Sequence, residues 1–188
     1  MRKLIVCGLV SLDGYFTGPG GDVMAMPFDA GFSEYNAERL RAAGTLLLGR
    51  VTYEGFRSYW PPIADDPDAP AVEREISRLN TAVEKVVVSD TLESDEEWSN
   101  SRFVRRAAAH EEVAKLRGQD GGDILTFGSR TLWNDLLAAG LVDELHLMIG
   151  PGVLGEGVPA FDNPGRFRLL EVRTWSDTSL VLIRYAAS

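Results

Sequence analysis

The stretch Gly121–Phe161 limits the possible folds of this chain more tightly than any other. Asp123–Phe127 is a short apolar run of β-favouring residues, and Gly128-Ser129 interrupts it. Thr131–Ala139 then places Leu132, Trp133, Leu136 and Leu137 on one helical face. Gly140 ends that helix where a left-handed cap is expected, and a second apolar run, Glu144–Ile149, leads into a Gly/Pro-rich loop. A strand that ends in Gly-Ser and launches a helix leaves backbone N–H groups free at the positive end of a helix dipole. Such a turn suits a phosphate.

The same grammar recurs along the chain. Lys3–Val10, Thr45–Leu48 and Lys85–Val88 read as buried strands, and Arg102–Val104 as a shorter one. The spacing predicts helices over Phe32–Ala43 (ended by Gly44), Val51–Ser58, Val72–Asn80 and Ala107–Arg117. Ser11–Asp22 reads as a Gly-rich loop, and Trp60–Pro70 as a second loop because its prolines deny the backbone its donors. Phe167–Trp175 and Ser179–Tyr185 flank Ser176-Asp177-Thr178 as a terminal hairpin. Alternating strands and helices with an antiparallel last pair imply an α/β fold, with a mostly parallel central sheet and an antiparallel C-terminal edge hairpin. No repeat or low-complexity linker divides the chain, so residues 1–188 are expected to form one domain.

Charge narrows the function. The net charge is −9, from 28 acidic against 19 basic residues, which excludes the broad basic face a nucleic acid requires. Asp65–Asp68 and Glu93–Glu97 read as solvated acidic loops. The lone cysteine, Cys7, stands in an apolar run and is expected in the core. It forms no metal-ligand spacing with His110 or His146, so no metal is expected. His146 alternates with Leu145 and Leu147, which marks a structural histidine on the opposite face of its strand. No apolar segment is long enough to span a membrane and Arg2-Lys3 leads straight into a strand, so the expected location is cytoplasmic, with no membrane partner.

In a parallel sheet, ligands gather outside the carboxyl ends of the strands. Three predicted strand ends carry suitable residues: Leu48-Gly49-Arg50-Val51-Thr52, Ser89-Asp90-Thr91 and Gly128-Ser129-Arg130-Thr131. Glycine permits close approach, helix starts offer N–H groups, and Arg50 adds a guanidinium able to pair with a phosphate monoester. Neither the Gly-x-Gly-x-x-Gly fingerprint nor a Walker phosphate loop is present, so the nucleotide site implied is of a different kind.

Leu47-Leu48-Gly49-Arg50-Val51-Thr52-Tyr53-Glu54 resembles the corresponding segment of dihydrofolate reductases. Val10-Ser11-Leu12-Asp13-Gly14-Tyr15 resembles a loop of the bacterial riboflavin-biosynthesis reductase domain. Gly140-Leu141-Val142-Asp143-Glu144-Leu145 with Pro151-Gly152-Val153-Leu154-Gly155 is similar to that domain's signature. The resemblance implies a dihydrofolate-reductase-like three-layer fold, NADPH as cofactor and a homodimer. It would put Gly49, Arg50, Val51 and Thr52 on the adenosine phosphate and pyrophosphate, Ser89 and Asp90 beside the adenosine, and Gly128, Ser129, Arg130, Thr131 and Leu132 on the pyrophosphate and ribose. Val10 and Gly20 would stand near the nicotinamide, with Asp13, Phe28 and Ser33 on the substrate side.

The implied function is an NADPH-dependent reductase that passes hydride to a small heterocycle, 5-amino-6-(5-phosphoribosylamino)uracil of riboflavin biosynthesis or a related compound. Water or Asp13 would supply its proton. A dihydrofolate or pterin reductase and a non-catalytic NADPH-binding dimer are the alternatives. Two departures bear on them. Ser33 stands where folate reductases carry a buried acid, and Asp90 where many relatives carry a cation for the cofactor's 2′-phosphate.

Overall fold

The structure, a computed structural model, describes residues 1–94 and 98–187. Residues 95–97, within the acidic run Glu93–Glu97 expected to be solvated, lie outside the described residues. In chain order the elements are β1 (Leu4–Val10), β2 (Tyr15–Thr17), α1 (Ala30–Ala42), β3 (Ala43–Gly49), α2 (Arg50–Ile63), α3 (Ala71–Ala82), β4 (Glu84–Val88) and β5 (Ser101–Val104). They continue with α4 (Ala109–Gly118), β6 (Asp123–Phe127), α5 (Arg130–Ala138), β7 (Glu144–Ile149), β8 (Val158–Pro159), β9 (Phe167–Thr174) and β10 (Val181–Ala187). Among the described residues the main sheet has eight strands, in the order β5-β4-β3-β6-β1-β7-β10-β9. The six from β5 to β7 run parallel, and β10 is antiparallel to both β7 and β9.

The two-residue strand period divides the core. Leu4, Val6 and Leu47 face Val113, Leu116, Trp133 and Leu136 of α4 and α5. Ile5, Cys7, Leu46 and Leu48 face Leu40, Tyr53 and Ile76 of α1, α2 and α3. Helices therefore cover both faces of the parallel strands, in three layers, and the strands read as unbroken apolar runs for that reason. Each such fully buried side chain stabilises the fold by about 1.5–3 kcal/mol relative to exposure.

Three boundaries differ from expectation. α2 continues through Pro61 and Pro62 to Ile63, where a loop was expected from Trp60. The prolines fall in its last turn, and α3 supplies donors there: Ser77 Oγ to the Trp60 carbonyl at 2.6 Å and Arg78 to the Ala64 carbonyl at 2.8 Å. Gly44 belongs to β3 and does not stop α1; a Cβ there would lie 2.9 Å from the Arg2 guanidinium and 3.0 Å from Gly122 N. Its requirement is close packing between neighbouring chain segments. Finally, the two Gly-rich loops contain β2 and β8, which pair with each other as a small antiparallel sheet. Gly157 makes that contact possible, since its φ is +141° and a Cβ would lie 2.1 Å from the Thr17 carbonyl.

A buried polar network holds the hairpin β9–β10 to the parallel strands. His146 bonds Tyr35 Oη through Nδ1 and Glu144 through Nε2, both at 2.7 Å. Glu144 also accepts from Lys3 at 2.6 Å and Arg184 at 3.1 Å, and Arg184 donates to Glu171 at 2.6 Å. A neutral ring satisfies the two 2.7 Å contacts when Nε2–H donates to the carboxylate and Tyr35 donates to Nδ1, and Arg184 Nε, 3.2 Å from Nε2, then donates nothing to the ring. Burial outweighs the Glu144 hydrogen bond and pushes the His146 pKa down to about 4. Burial opposes ionisation of Glu144, but hydrogen bonds from Lys3, His146 and Arg184 prevail and hold its pKa down at about 2.

A depressed histidine pKa contributes stability that is complete above its ordinary value of about 6.5 and is lost as pH falls through the folded value. The contribution of Glu144 is complete above its ordinary value and is lost towards pH 2. We expect the urea midpoint to fall steadily from about pH 6.5 to 4, and His146→Asn to flatten that part of the profile while lowering stability at pH 7. A wild-type midpoint that does not change over this interval would contradict the assignment.

Candidate active site

Parallel pairing brings the carboxyl ends of β1, β3, β4, β6 and β7 to one sheet edge. At its centre two turns interlock. Gly49 N donates to Ser129 Oγ, and Ser129 N donates to Thr52 Oγ1, each at 2.9 Å. Gly128 and Ser129 adopt left-handed φ values of +55° and +46°, and a Cβ on Gly128 would lie 2.8 Å from Thr52 Oγ1. Thr52 and Ser129 therefore accept these bonds from one another's turns, which leaves their hydroxyl protons to donate elsewhere.

Neither α2 nor α5 has a side-chain cap. Their first-turn N–H groups, on Arg50, Val51 and Thr52 and on Arg130, Thr131 and Leu132, have no helical carbonyl behind them. The result is two adjacent positive helix ends on one rigid base, which suits a diphosphate. The glycine at 128 is a close-approach requirement of that base. These residues fit a dinucleotide pyrophosphate. Arg130 contributes through its backbone, because its guanidinium is bound to the Pro159 carbonyl and the Asp162 carboxylate.

Next along the edge, Ser89 is buried and its Oγ accepts from Thr91 N at 3.1 Å and Leu92 N at 2.8 Å. It shapes its own turn. Asp90 is exposed, and its carboxylate accepts from Arg106 N at 2.9 Å with Arg106 Nε at 3.8 Å. Arg105 donates to the Asp90 carbonyl and pairs with Glu93. The acid at position 90 is thus accompanied by two guanidiniums from the end of β5, a fourth strand end beyond the three expected. The legible signal was Val104-Arg105-Arg106 directly after a predicted strand. Arg50 forms a half-exposed pair with Glu54 at 2.9 Å, a contact weak enough in water to be exchanged for a phosphate.

The other half of the edge is built by two loops. Asp13 accepts from Ser11 Oγ at 2.6 Å, Gly155 N at 2.7 Å and Leu154 N at 3.1 Å. Leu12 N donates to the Gly152 carbonyl at 2.9 Å. The Ser11 hydroxyl, followed by the Gly155 amide, lowers the Asp13 pKa to about 2. The ionised carboxylate clamps the loop after β1 to the loop after β7.

Val10 is buried at the end of β1, and Gly20 sits with φ +70° in an exposed turn. Phe28 is 44% exposed and meets Phe32 edge-on at 4.8 Å. Ser33 is partly buried in the first turn of α1, and Glu34 beside it is exposed. Among the described residues, therefore, neither Ser33 nor its neighbour brings a buried carboxylate to the place where folate reductases carry one.

Thr52→Val removes the acceptor of Ser129 N–H, and an unsatisfied partly buried donor costs about 1–3 kcal/mol. We expect the urea denaturation free energy to fall by about that amount; an unchanged value would show that the interlock does not brace the edge. For the clamp, Asp13→Ala should speed hydrogen exchange at Leu154 and Gly155 while leaving the core amides of β1 protected.

Residues 2–182 match the model of the RibD C-terminal domain. The chain is 35% identical over 184 residues to protein YyaP of Bacillus subtilis, covering 96% of this chain and 92% of that one. RibD of Acinetobacter baumannii has a similar structure, with a TM-score of 0.71 at 16% identity, covering all of this chain and 58% of that one. A Thermotoga maritima diaminohydroxyphosphoribosylaminopyrimidine deaminase/5-amino-6-(5-phosphoribosylamino)uracil reductase matches with a TM-score of 0.67 at 14% identity, over all of this chain and 57% of that one. At these identities the likeness carries the fold, which is the dihydrofolate-reductase-like α/β architecture expected.

Proposed function

The chain belongs to the RibD C-terminal domain family, and from that membership and the site geometry we propose an NADPH-dependent reductase acting on a small heterocyclic substrate. The observation that carries the reading is the pair of uncapped helix starts of α2 and α5, locked together at 2.9 Å and flanked by guanidiniums. The first turns of the two helices would hold the pyrophosphate, and Arg50, Arg105 and Arg106 the 2′-phosphate. Bound NADPH would supply the hydride from its nicotinamide. The protein's own work would be to fix orientation and exclude water at the β1–β7 side. Asp13 remains ionised there and Ser33 is no acid, so the proton would come from solvent. The same lack of a carboxyl disfavours the folate or pterin alternative. The substrate type is suggested by the uracil reductase activity that the Thermotoga maritima relative's name describes.

NADPH titration followed by protein fluorescence should saturate in the micromolar range. Arg105→Ala combined with Arg106→Ala should weaken NADPH by about tenfold or more and change NADH binding little. Oxidation of NADPH in the presence of the ribosylamino-pyrimidine then separates an enzyme from a non-catalytic binder. A chain that binds no dinucleotide sinks both readings.

We also propose a homodimer built on the hairpin. Leu169, Leu170 and Val172 of β9 are 53%, 39% and 56% exposed on the terminal strand of the sheet, a bare apolar edge that a second copy would cover. Light scattering should give twice the chain mass, and Val172→Asp should shift it towards monomer.

A further inference from the structure

Cations at the candidate site are segregated to one half. No Lys or Arg occurs between Lys3 and Arg39, and none between Arg130 and Arg166. These two windows supply the loop after β1, most of α1 and the loop after β7, which together wall the β1–β7 half of the edge. Cations on elements packed against those walls are each held by more than one partner, Arg39 and Arg173 also lying over the Tyr35 ring and Arg130 also binding the Pro159 carbonyl. Arg130 is bound to Asp162, Arg39 pairs with Glu38 at 2.8 Å, and Arg173 pairs with Glu38 at 2.7 Å and Glu171 at 3.2 Å.

The other guanidiniums at this sheet edge stand in the cofactor half. Arg50 opens α2, and Arg105 and Arg106 follow β5. Arg57 lies one turn beyond Tyr53, whose ring packs on Trp98 and Phe103 at the β5 side.

What the walls do present is apolar surface and negative charge. Leu12, Val23, Met24, Phe28 and Val153 are 60%, 59%, 69%, 44% and 70% exposed. Beneath them Met26 is buried so closely against Gly150 that a Cβ there would lie 1.8 Å from its methyl carbon. The acids are Asp13, held ionised; Asp22 and Asp29, which accept from Met24 N at 2.8 Å and Phe32 N at 3.2 Å; and the exposed Glu34 and Glu156.

Resting on the proposed reductase activity, we infer that its substrate is an uncharged or cationic, largely apolar heterocycle that carries neither phosphate nor carboxylate. An anionic group placed against these walls would give up its water for apolar surface, meet an ionised carboxylate and find no guanidinium to replace the lost hydration. The same field admits a neutral or positive ring without penalty. The negative charge of a dinucleotide stays in the basic half, so the two halves of the edge sort cofactor from substrate by charge.

The test uses calorimetry on the NADPH-saturated chain with two matched pairs: the ribosylamino-pyrimidine with and without its terminal phosphate, and dihydrofolate against the uncharged dihydrobiopterin. The uncharged member of at least one pair should bind about tenfold tighter than its anionic partner. Val153→Arg should narrow that gap by strengthening the anionic member. Equal or tighter binding of the anionic members overturns the inference, as does the absence of binding by all four compounds. NADPH is titrated alone beforehand, so failure at that step condemns the reductase reading, whereas NADPH binding with a reversed preference condemns only the substrate class.

Discussion

Parallel pairing is the constraint from which the rest of this molecule follows. β1 lies between β6 and β7 and runs the same way as both, so every connection among the six parallel strands must cross over the sheet. The crossovers bury both faces, and the apolar runs Leu46–Leu48 and Val86–Val88 have no polar side to show. Common direction also gathers all the carboxyl ends at one edge. Residues as distant in sequence as Gly49 and Ser129 become hydrogen-bonded neighbours there. A site of this kind is a consequence of strand direction before it is a matter of particular side chains.

The hairpin β9–β10 breaks that direction, and to strand pairing and the apolar cluster of Leu182 with Leu9 and Met148 it adds a buried polar attachment. Arg184 reaches across to Glu144 on β7 and outward to Glu171 on β9, with His146 and Tyr35 filling the space beneath. A buried pair of this sort is costly to desolvate and strongly destabilising to break, so it specifies where the hairpin docks more than it adds net stability. The inward face of the hairpin is thereby fixed while its outer residues, Leu169 and Val172, remain apolar and exposed.

Strands were the most legible part of the chain, because burial on both faces leaves an unbroken apolar run that nothing else imitates. Helix limits were less so. The prolines at 61 and 62 argue locally for a loop, but Ser77 and Arg78 come from another helix to satisfy the last carbonyls. Gly44 has the look of a helix stop because glycine serves both caps and close contacts, and only the arrival of Arg2 and Gly122 decides between them.

The same division holds at the candidate site. Gly49-Arg50 and Gly128-Ser129 were visible as turns, whereas their mutual bonds were not. Arg105 and Arg106 escaped notice because strand order, which sets β5 beside β4, is not written in either segment. The role of Asp13 was hidden for a simpler reason: its amide partners, Leu154 and Gly155, lie about 140 residues away.

The clamp at Asp13 has a mechanical consequence. The carboxylate, the β2–β8 pairing and the packing of Met26 beneath Gly150 bind two loops from opposite ends of the chain at several points. Segments joined in this way cannot fluctuate independently, because parting at one point strains the others. They are held as a single unit between the ends of β1 and β7.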